Sequence, residues 1–185
     1  MADEPRPYEQ IAYDVEGPVL TLTLIVAGAL GLPAAASADL PSFPNNVIVP
    51  GTSAGGVKLG MAADTAIARW GGNEGCPKPF TGYECRWRAA SGGASATLIF
   101  QNGKVAAIAL RVGTTQTGTP VFTGPLMKLK MRKKVGLRAT LRQVQRAYPK
   151  LRGSPSGAAL GSGSRTTTFS TSGGRVTEIV VGTAP

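Results

Sequence analysis

One sequence pattern occurs twice in this chain, and the duplication constrains the fold more than any other feature. The first copy runs from Val57 to Gly71 and the second from Val135 to Pro149. In a gap-free alignment four pairs fall in register: Val57/Val135, Leu59/Leu137, Ala66/Val144 and Trp70/Tyr148. Two tandem copies of one supersecondary unit are the simplest interpretation.

Each copy is followed by a Gly/Ser-rich stretch and then by the alternating apolar residues of a β-hairpin. The first hairpin covers residues 100–110 and turns at Asn102-Gly103, a strong hairpin signal, and the second covers residues 169–181. We therefore predict an α+β fold of two tandem repeats, each a short helix packed on an antiparallel β-sheet. The predicted boundaries are 39–112 for the first repeat, 113–125 for a linker and 126–185 for the second repeat.

Composition excludes several classes of enzyme. The chain has 185 residues, 42% of them apolar, and no histidine. Without histidine it lacks the usual general base near neutral pH and the commonest metal ligand. Phosphate-loop, dinucleotide-binding and CxxC motifs are also missing. We predict no catalytic residues, no metal site and no cofactor.

Charge is divided unevenly along the chain. The first 38 residues contain one of the 20 basic residues and five of the 10 acidic residues, which leaves a formal charge of +14 on the rest. A field of this sign attracts polyanions such as nucleic acid, anionic lipid headgroups or cell-wall phosphates.

An apolar run, Val19–Leu32, is followed by Ala36-Ser37-Ala38. The run has the length of a signal-peptide core and is shorter than the roughly 20 residues of a membrane-spanning helix. We predict a signal peptide core and cleavage region at residues 19–38 and a secreted or cell-envelope protein with no membrane span after processing. The alternative is a buried hydrophobic helix or strand, and the acidic residues before the run are atypical of a signal peptide.

The stretch from Tyr8 to Leu24 resembles the opening hairpin of the enoyl-CoA hydratase (crotonase) family. That family typically continues with Asn-Arg-Pro, whereas Ile25 and an apolar run follow here. None of the family's acyl-CoA or oxyanion-hole motifs occurs downstream. We interpret residues 1–24 as a crotonase-like start joined to a secreted protein in the gene model, and the alternative is a native extended segment.

The first repeat is expected to begin with an extended leader, Pro41–Pro50, ending in a short edge strand, because the segment is rich in proline. A helix follows whose apolar face ends at Trp70 and which Gly71-Gly72 stops. We expect the indole to anchor the helix on a sheet; a functional role for it is the alternative.

Cys76 and Cys85 are the two cysteines of the chain and flank a turn-rich segment. In an exported chain an even pair at this spacing favours a structural disulfide over a redox or metal pair. The alternation that follows predicts a strand with Tyr83, Cys85 and Trp87 on one face.

Residues 128–152, here called the basic run, contain ten Lys or Arg residues and no acid. Thr140 and Gln143 have the spacing of a capping box at the start of a second helix. The run is either a solvated face or a patch that binds an anionic surface. Aromatic residues are not interleaved through it, so dedicated nucleic-acid recognition is not predicted. The predicted anion-binding residues are Lys128, Lys130, Arg132, Lys133, Lys134, Arg142 and Arg146.

The segment Val57–Met61, a short helix ending at Trp70-Gly71 and a following sheet, all in tandem, resemble the β-lactamase inhibitory protein superfamily and the related SmpA/OmlA-type envelope lipoproteins. The resemblance covers residues from about 55 to 182. It implies helices packed on one sheet face, with the other face open to a protein partner. The chain departs from the inhibitors in its positive charge and from the lipoproteins in lacking a lipid-anchoring cysteine.

Three functions follow from these features. The first is an exported, non-enzymatic protein that binds an anionic envelope polymer, a lipid surface or a secreted protein, in an oligomeric state that the sequence leaves open. The second is an inhibitor of a secreted enzyme, which the resemblance supports. The third is an enzyme, either a hydratase-like fragment or a site built on Asp64, Glu74 or Glu84, and scattered acids without histidine make a poor active site.

Replacing residues 1–18 with a short Lys/Arg-rich start is expected to direct export, because a signal peptide needs basic residues before its apolar core. Mass spectrometry of the exported protein should find Asp39 at its N-terminus. Recovery of the intact chain from the cytoplasm alone would contradict the predicted secretion.

Overall fold

A computed structural model describes residues 39–90, 93–154 and 156–183. The predicted signal segment at 19–38 and the crotonase-like stretch at 1–24 lie outside the described residues. The described residues form a mixed α+β structure that is mostly sheet, which confirms the α+β part of the predicted fold. None of the helices in these three ranges is long and apolar enough to cross a membrane.

The described residues contain two α-helices, thirteen strands and two 3-10 helices. The α-helices are α1 (Ala63–Arg69) and α2 (Leu141–Ala147), and the 3-10 helices are Pro125–Lys128 and Gly163–Arg165. The strands are β1 (Val47–Val49), β2 (Ser53–Ala54), β3 (Val57–Lys58), β4 (Glu84–Arg88), β5 (Ser95–Gln101), β6 (Lys104–Arg111), β7 (Gly113–Thr114), β8 (Pro120–Val121), β9 (Lys130–Met131), β10 (Arg152–Ser154), β11 (Gly157–Leu160), β12 (Thr167–Ser172) and β13 (Arg175–Gly182).

Seven of these strands form one antiparallel sheet in the order β10-β11-β12-β13-β6-β5-β4. The predicted Asn102-Gly103 hairpin joins β5 to β6, and both turn residues have positive φ, at 51° and 68°. Strand β13 pairs with β6, so the strands of the two predicted repeats belong to one continuous sheet. The predicted linker contains the short hairpin β7-β8.

Cross-strand rows of apolar side chains form the buried face of the large sheet. One row places Trp87, Ala96, Leu110, Ile179 and Phe169 side by side across five strands. Each is at most 2% exposed. Because burying one large apolar side chain contributes roughly 1.5–3 kcal/mol, such rows hold both halves of the chain in one core.

A second sheet has the order β3-β2-β1-β9 and joins the leader to the start of the basic run. The predicted edge position of β1 is wrong, because β1 lies between β2 and the parallel strand β9. Its three residues include no proline and therefore keep every N–H for pairing. Ile48, at its centre, is fully buried.

The Trp70 side chain anchors α1, as predicted. Its Nε1–H donates to the Gly55 carbonyl oxygen at 3.0 Å, and the indole is 1% exposed. The rings of Phe43 and Trp87 contact it edge-on, with centroids at 5.2 and 5.3 Å. Each such aromatic pair contributes about 0.5–1.5 kcal/mol of stability beyond that from burying the rings.

The helix boundaries follow from local hydrogen bonds. At the end of α1 the Gly72 N–H donates to the Ile67 carbonyl oxygen at 2.9 Å, which is a Schellman closure. At the start of α2 the Gln143 N–H donates to the Thr140 hydroxyl, and the Gln143 side chain accepts from the Thr140 N–H. The predicted capping box is therefore confirmed.

The two cysteines form a disulfide, with Cα atoms 5.7 Å apart, that ties the loop after α1 to β4. Cys85 and Trp87 point into the core from β4. The prediction that Tyr83 shares this buried face is wrong, because the strand begins one residue later and Tyr83 is 70% exposed.

Changing Cys76 and Cys85 together to Ser is expected to lower the free energy of unfolding by about 2–3 kcal/mol, the chain-entropy value for a loop of this length. Denaturant unfolding of the parent and the double variant measures the difference. A reducing agent should destabilise the parent and leave the double variant unchanged, and equal responses of the two proteins would contradict the prediction.

Candidate anion-binding groove

A concave surface beside α2 has a volume of about 820 Å³ and gathers positive side chains from separate parts of the second half. We call it the basic groove. Half-buried apolar residues, among them Phe122 and Met127, contribute to its wall. Its cationic lining residues are Lys130, Lys133, Lys134, Arg138, Arg146 and Arg175.

The elements around the groove explain how these cations meet. Lys130 comes from β9, Arg146 from α2 and Arg175 from the first position of β13. Lys134 and Arg138 lie in two turns between β9 and α2. An isolated bridge between Thr140 and Arg175 brings the start of β13 to the start of α2, so residues distant in sequence line one cavity.

In the part of the chain that the structure describes, no carboxylate lines the basic groove. The ion pairs among the described residues are Arg86 with Glu84 and Arg111 with Glu178, and both lie on the large sheet. The groove cations are therefore not neutralised by acids of the described chain. A concave surface lined by one sign of charge raises the local concentration of oppositely charged ligands.

Lys133 has a structural role as well as a place in the groove. Its Nζ donates to the Ala147 carbonyl oxygen at 2.6 Å, at the end of α2, and lies 5.3 Å from the centre of the Tyr148 ring. A cation at a helix C-terminus satisfies a free carbonyl and opposes the negative end of the helix dipole. Burial raises the pKa of the Tyr148 hydroxyl above its ordinary value.

The structure divides the residues that the sequence analysis placed in one binding patch. Lys130, Lys133, Lys134 and Arg146 line the basic groove. The other three, Lys128, Arg132 and Arg142, are exposed but lie outside its lining.

Two lining cations were absent from the predicted set. Arg138 lies inside the basic run, and its position in a turn before the capping Thr140 could have indicated a place near the helix start. Arg175 lies outside the run, and its only sequence signal is the turn at Gly173-Gly174 that begins β13. The helix positions that line the groove are 143, 146 and 147, one face of α2.

The acids of the enzyme hypothesis lie away from this groove. The Asp64 carboxylate accepts from the Phe80 N–H at 2.8 Å, and Glu84 pairs with Arg86. Glu74 is exposed in the segment after α1, two residues before Cys76. The described residues contain no group of three acids or cysteines that could hold a metal ion.

No protein-family model, curated protein or solved structure matches this chain.

Changing Lys133 to Met should lower the free energy of unfolding by about 0.5–1.5 kcal/mol, because it removes the hydrogen bond to Ala147 at the end of α2. Changing the neighbouring exposed Arg132 to Met removes the same charge without breaking a described hydrogen bond and serves as the control. Urea unfolding compares the two variants, and equal losses of stability would show that Lys133 acts only through its charge.

Proposed function

We propose that this chain is an exported, non-enzymatic binding protein whose basic groove engages an anionic component of the cell envelope. The observation that carries the proposal is the groove itself, which collects six cationic side chains and no carboxylate from the residues that the structure describes. If the positive residues were only a solvated face, they would not need to meet in one concave surface from β9, α2, β13 and two turns.

Export is supported by the disulfide and by the apolar run before it. Structural disulfides persist in oxidising compartments and are rare in the cytosol. The Cys76–Cys85 bond and the signal-like residues 19–38 therefore point to the same location outside the cytoplasm. In that location lipid headgroups and cell-wall polymers are the abundant polyanions, which favours them over nucleic acid as partners.

We further propose that the two halves are tandem repeats. In the first half the Met61 N–H donates to the Lys58 carbonyl oxygen, and in the second the aligned Ala139 N–H donates to that of Gly136, both at 3.2 Å. Each turn leads into a helix, α1 or α2, and each helix precedes antiparallel strands. Matching backbone bonds at aligned positions support the repeat independently of side-chain similarity.

The decisive experiment compares two triple variants that lose the same charge. The groove variant changes Lys130, Lys134 and Arg146 to Gln. The control variant changes Lys128, Arg132 and Arg142 to Gln. Binding of the full chain to vesicles of phosphatidylglycerol and phosphatidylcholine, and to long-chain polyphosphate, is measured at about 150 mM salt, where the Debye length is about 8 Å and distant charges are screened.

We expect the groove variant to lose at least about tenfold in affinity for one or both probes and the control variant to lose less than about threefold, because contacts with phosphate dominate such binding. Both variants should retain the melting temperature of the parent, since exposed charges contribute little to folding. Equal losses by the two variants would show that the net charge of the chain, and not the groove, attracts the ligand.

A further inference from the structure

Two cations of the basic groove occupy backbone conformations that usually belong to glycine. Among the described non-glycine residues, Asn102, Lys134 and Arg138 have positive φ, at 51°, 60° and 73°. Asn102 lies in a hairpin turn of the type that favours asparagine at this position. Lys and Arg have no such local preference, because their Cβ atoms crowd the backbone in the left-handed region.

Lys134 ends a tight turn after β9. Its N–H donates to the Met131 carbonyl oxygen at 2.8 Å, and the Met131 N–H donates to the Val135 carbonyl oxygen at 2.7 Å. A three-residue loop closed in this way ends in a left-handed residue, which is typically glycine. The chain has a lysine there, exposed and lining the groove.

Arg138 is the third residue of the turn from Gly136 to Ala139 and the only one of its two central residues with positive φ. This is the pattern of a type II turn, whose third position favours glycine. The Arg138 N–H donates to the Val176 carbonyl oxygen at 2.9 Å, so the turn is fixed against β13.

The aligned positions of the first half are both glycines with positive φ. Gly60 aligns with Arg138, has φ 78°, and donates its N–H to the Val105 carbonyl oxygen at 2.8 Å in the matching bond. Gly56 aligns with Lys134 and has φ 86°. Both left-handed positions are glycine in the half that has no basic groove and cationic in the half that has one.

Backbone stability therefore does not account for either cation. Glycine adopts this conformation without steric cost, and a side chain there is strained. Neither the Lys134 nor the Arg138 side chain makes a described hydrogen bond or ion pair that would offset the strain. What the two side chains share is the groove that they line.

The size and charge of the groove indicate the kind of ligand. At about 820 Å³ it falls in the range of small-molecule sites, roughly 300–1,000 Å³. A single carboxylate or phosphate would leave most of the six cations unpaired. A flat bilayer would contact protruding cations outside the groove, such as Arg142, as readily as those that line its concave surface.

We propose that the basic groove binds a chain with several closely spaced phosphate groups and that Lys134 and Arg138 are specificity-determining contacts, kept in left-handed backbone positions for their charge. This inference rests on the proposed function and adds the ligand class and the residues that select it. Arg138 offers a planar pair of donors to one phosphate, and Lys134 offers a point charge to another.

The test measures binding of tripolyphosphate and of orthophosphate to the full chain by titration calorimetry. The variants are Lys134→Gly, Arg138→Gly and the two together, each of which removes a charge and relieves the backbone. Asn102→Gly is the matched control, because it places glycine at the third left-handed non-glycine position of the described residues without changing charge. Arg138→Lys keeps the charge and tests whether charge alone is sufficient.

We expect tripolyphosphate to bind at least about tenfold more tightly than orthophosphate, a difference of about 1.4 kcal/mol. The double glycine variant should lose at least about tenfold in tripolyphosphate affinity, with an unchanged or raised melting temperature. The Asn102→Gly variant should bind tripolyphosphate like the parent. The Arg138→Lys variant should bind it more tightly than Arg138→Gly and more weakly than the parent.

Parent-like tripolyphosphate affinity in the double variant would overturn the inference, as would a lowered melting temperature, which would make the two side chains structural. Equal affinities for the two phosphates would also overturn it. If the groove variant loses affinity for vesicles while the parent does not bind tripolyphosphate, the proposed function stands and this inference fails. If no probe distinguishes the groove variant from the control variant, both the proposed function and this inference fail.

Discussion

The antiparallel pairing of β6 with β13 is the constraint on which the rest of this structure depends. It places Ile179 opposite Leu110 and Val181 opposite Ile108, all fully buried. Without it the chain would have two smaller sheets, each with a long unpaired edge, and such edges invite aggregation. The same strand β13 begins at Arg175, which lines the basic groove, so the core and the site share one element.

The features that the sequence predicted correctly are those set by neighbouring residues. The Asn102-Gly103 turn, the Thr140 capping box and the Trp70 anchor depend on spacing within one or two turns of chain. The failures are non-local or lie at boundaries. The position of β1 inside a sheet depends on β9, which lies beyond the predicted linker, and the exposure of Tyr83 depends on where β4 begins.

The candidate site shows the same contrast between local features, which the sequence predicts, and non-local ones, which it does not. A run of cations indicates that positive charge is concentrated, but it does not show on which side of the fold each side chain lies. Arg142 and Arg146 are one helical turn apart in α2, yet only Arg146 lines the groove. Lys133 adds a second difficulty, because its ammonium group both donates a hydrogen bond at the end of α2 and contributes positive charge to the groove. Arg175 could be placed only by the bridge to Thr140.

The basic groove opposes folding in two ways at once. Like charges held together repel one another in the compact state, and left-handed Lys134 and Arg138 add backbone strain where the first half has glycine. In a chain selected for stability alone, single substitutions would remove both the charge repulsion and the backbone strain. Proteins tolerate such local losses where activity requires them, provided that the core supplies the difference. The apolar rows across β4, β5, β6, β13 and β12 supply this compensating stability, because their large side chains are almost completely buried.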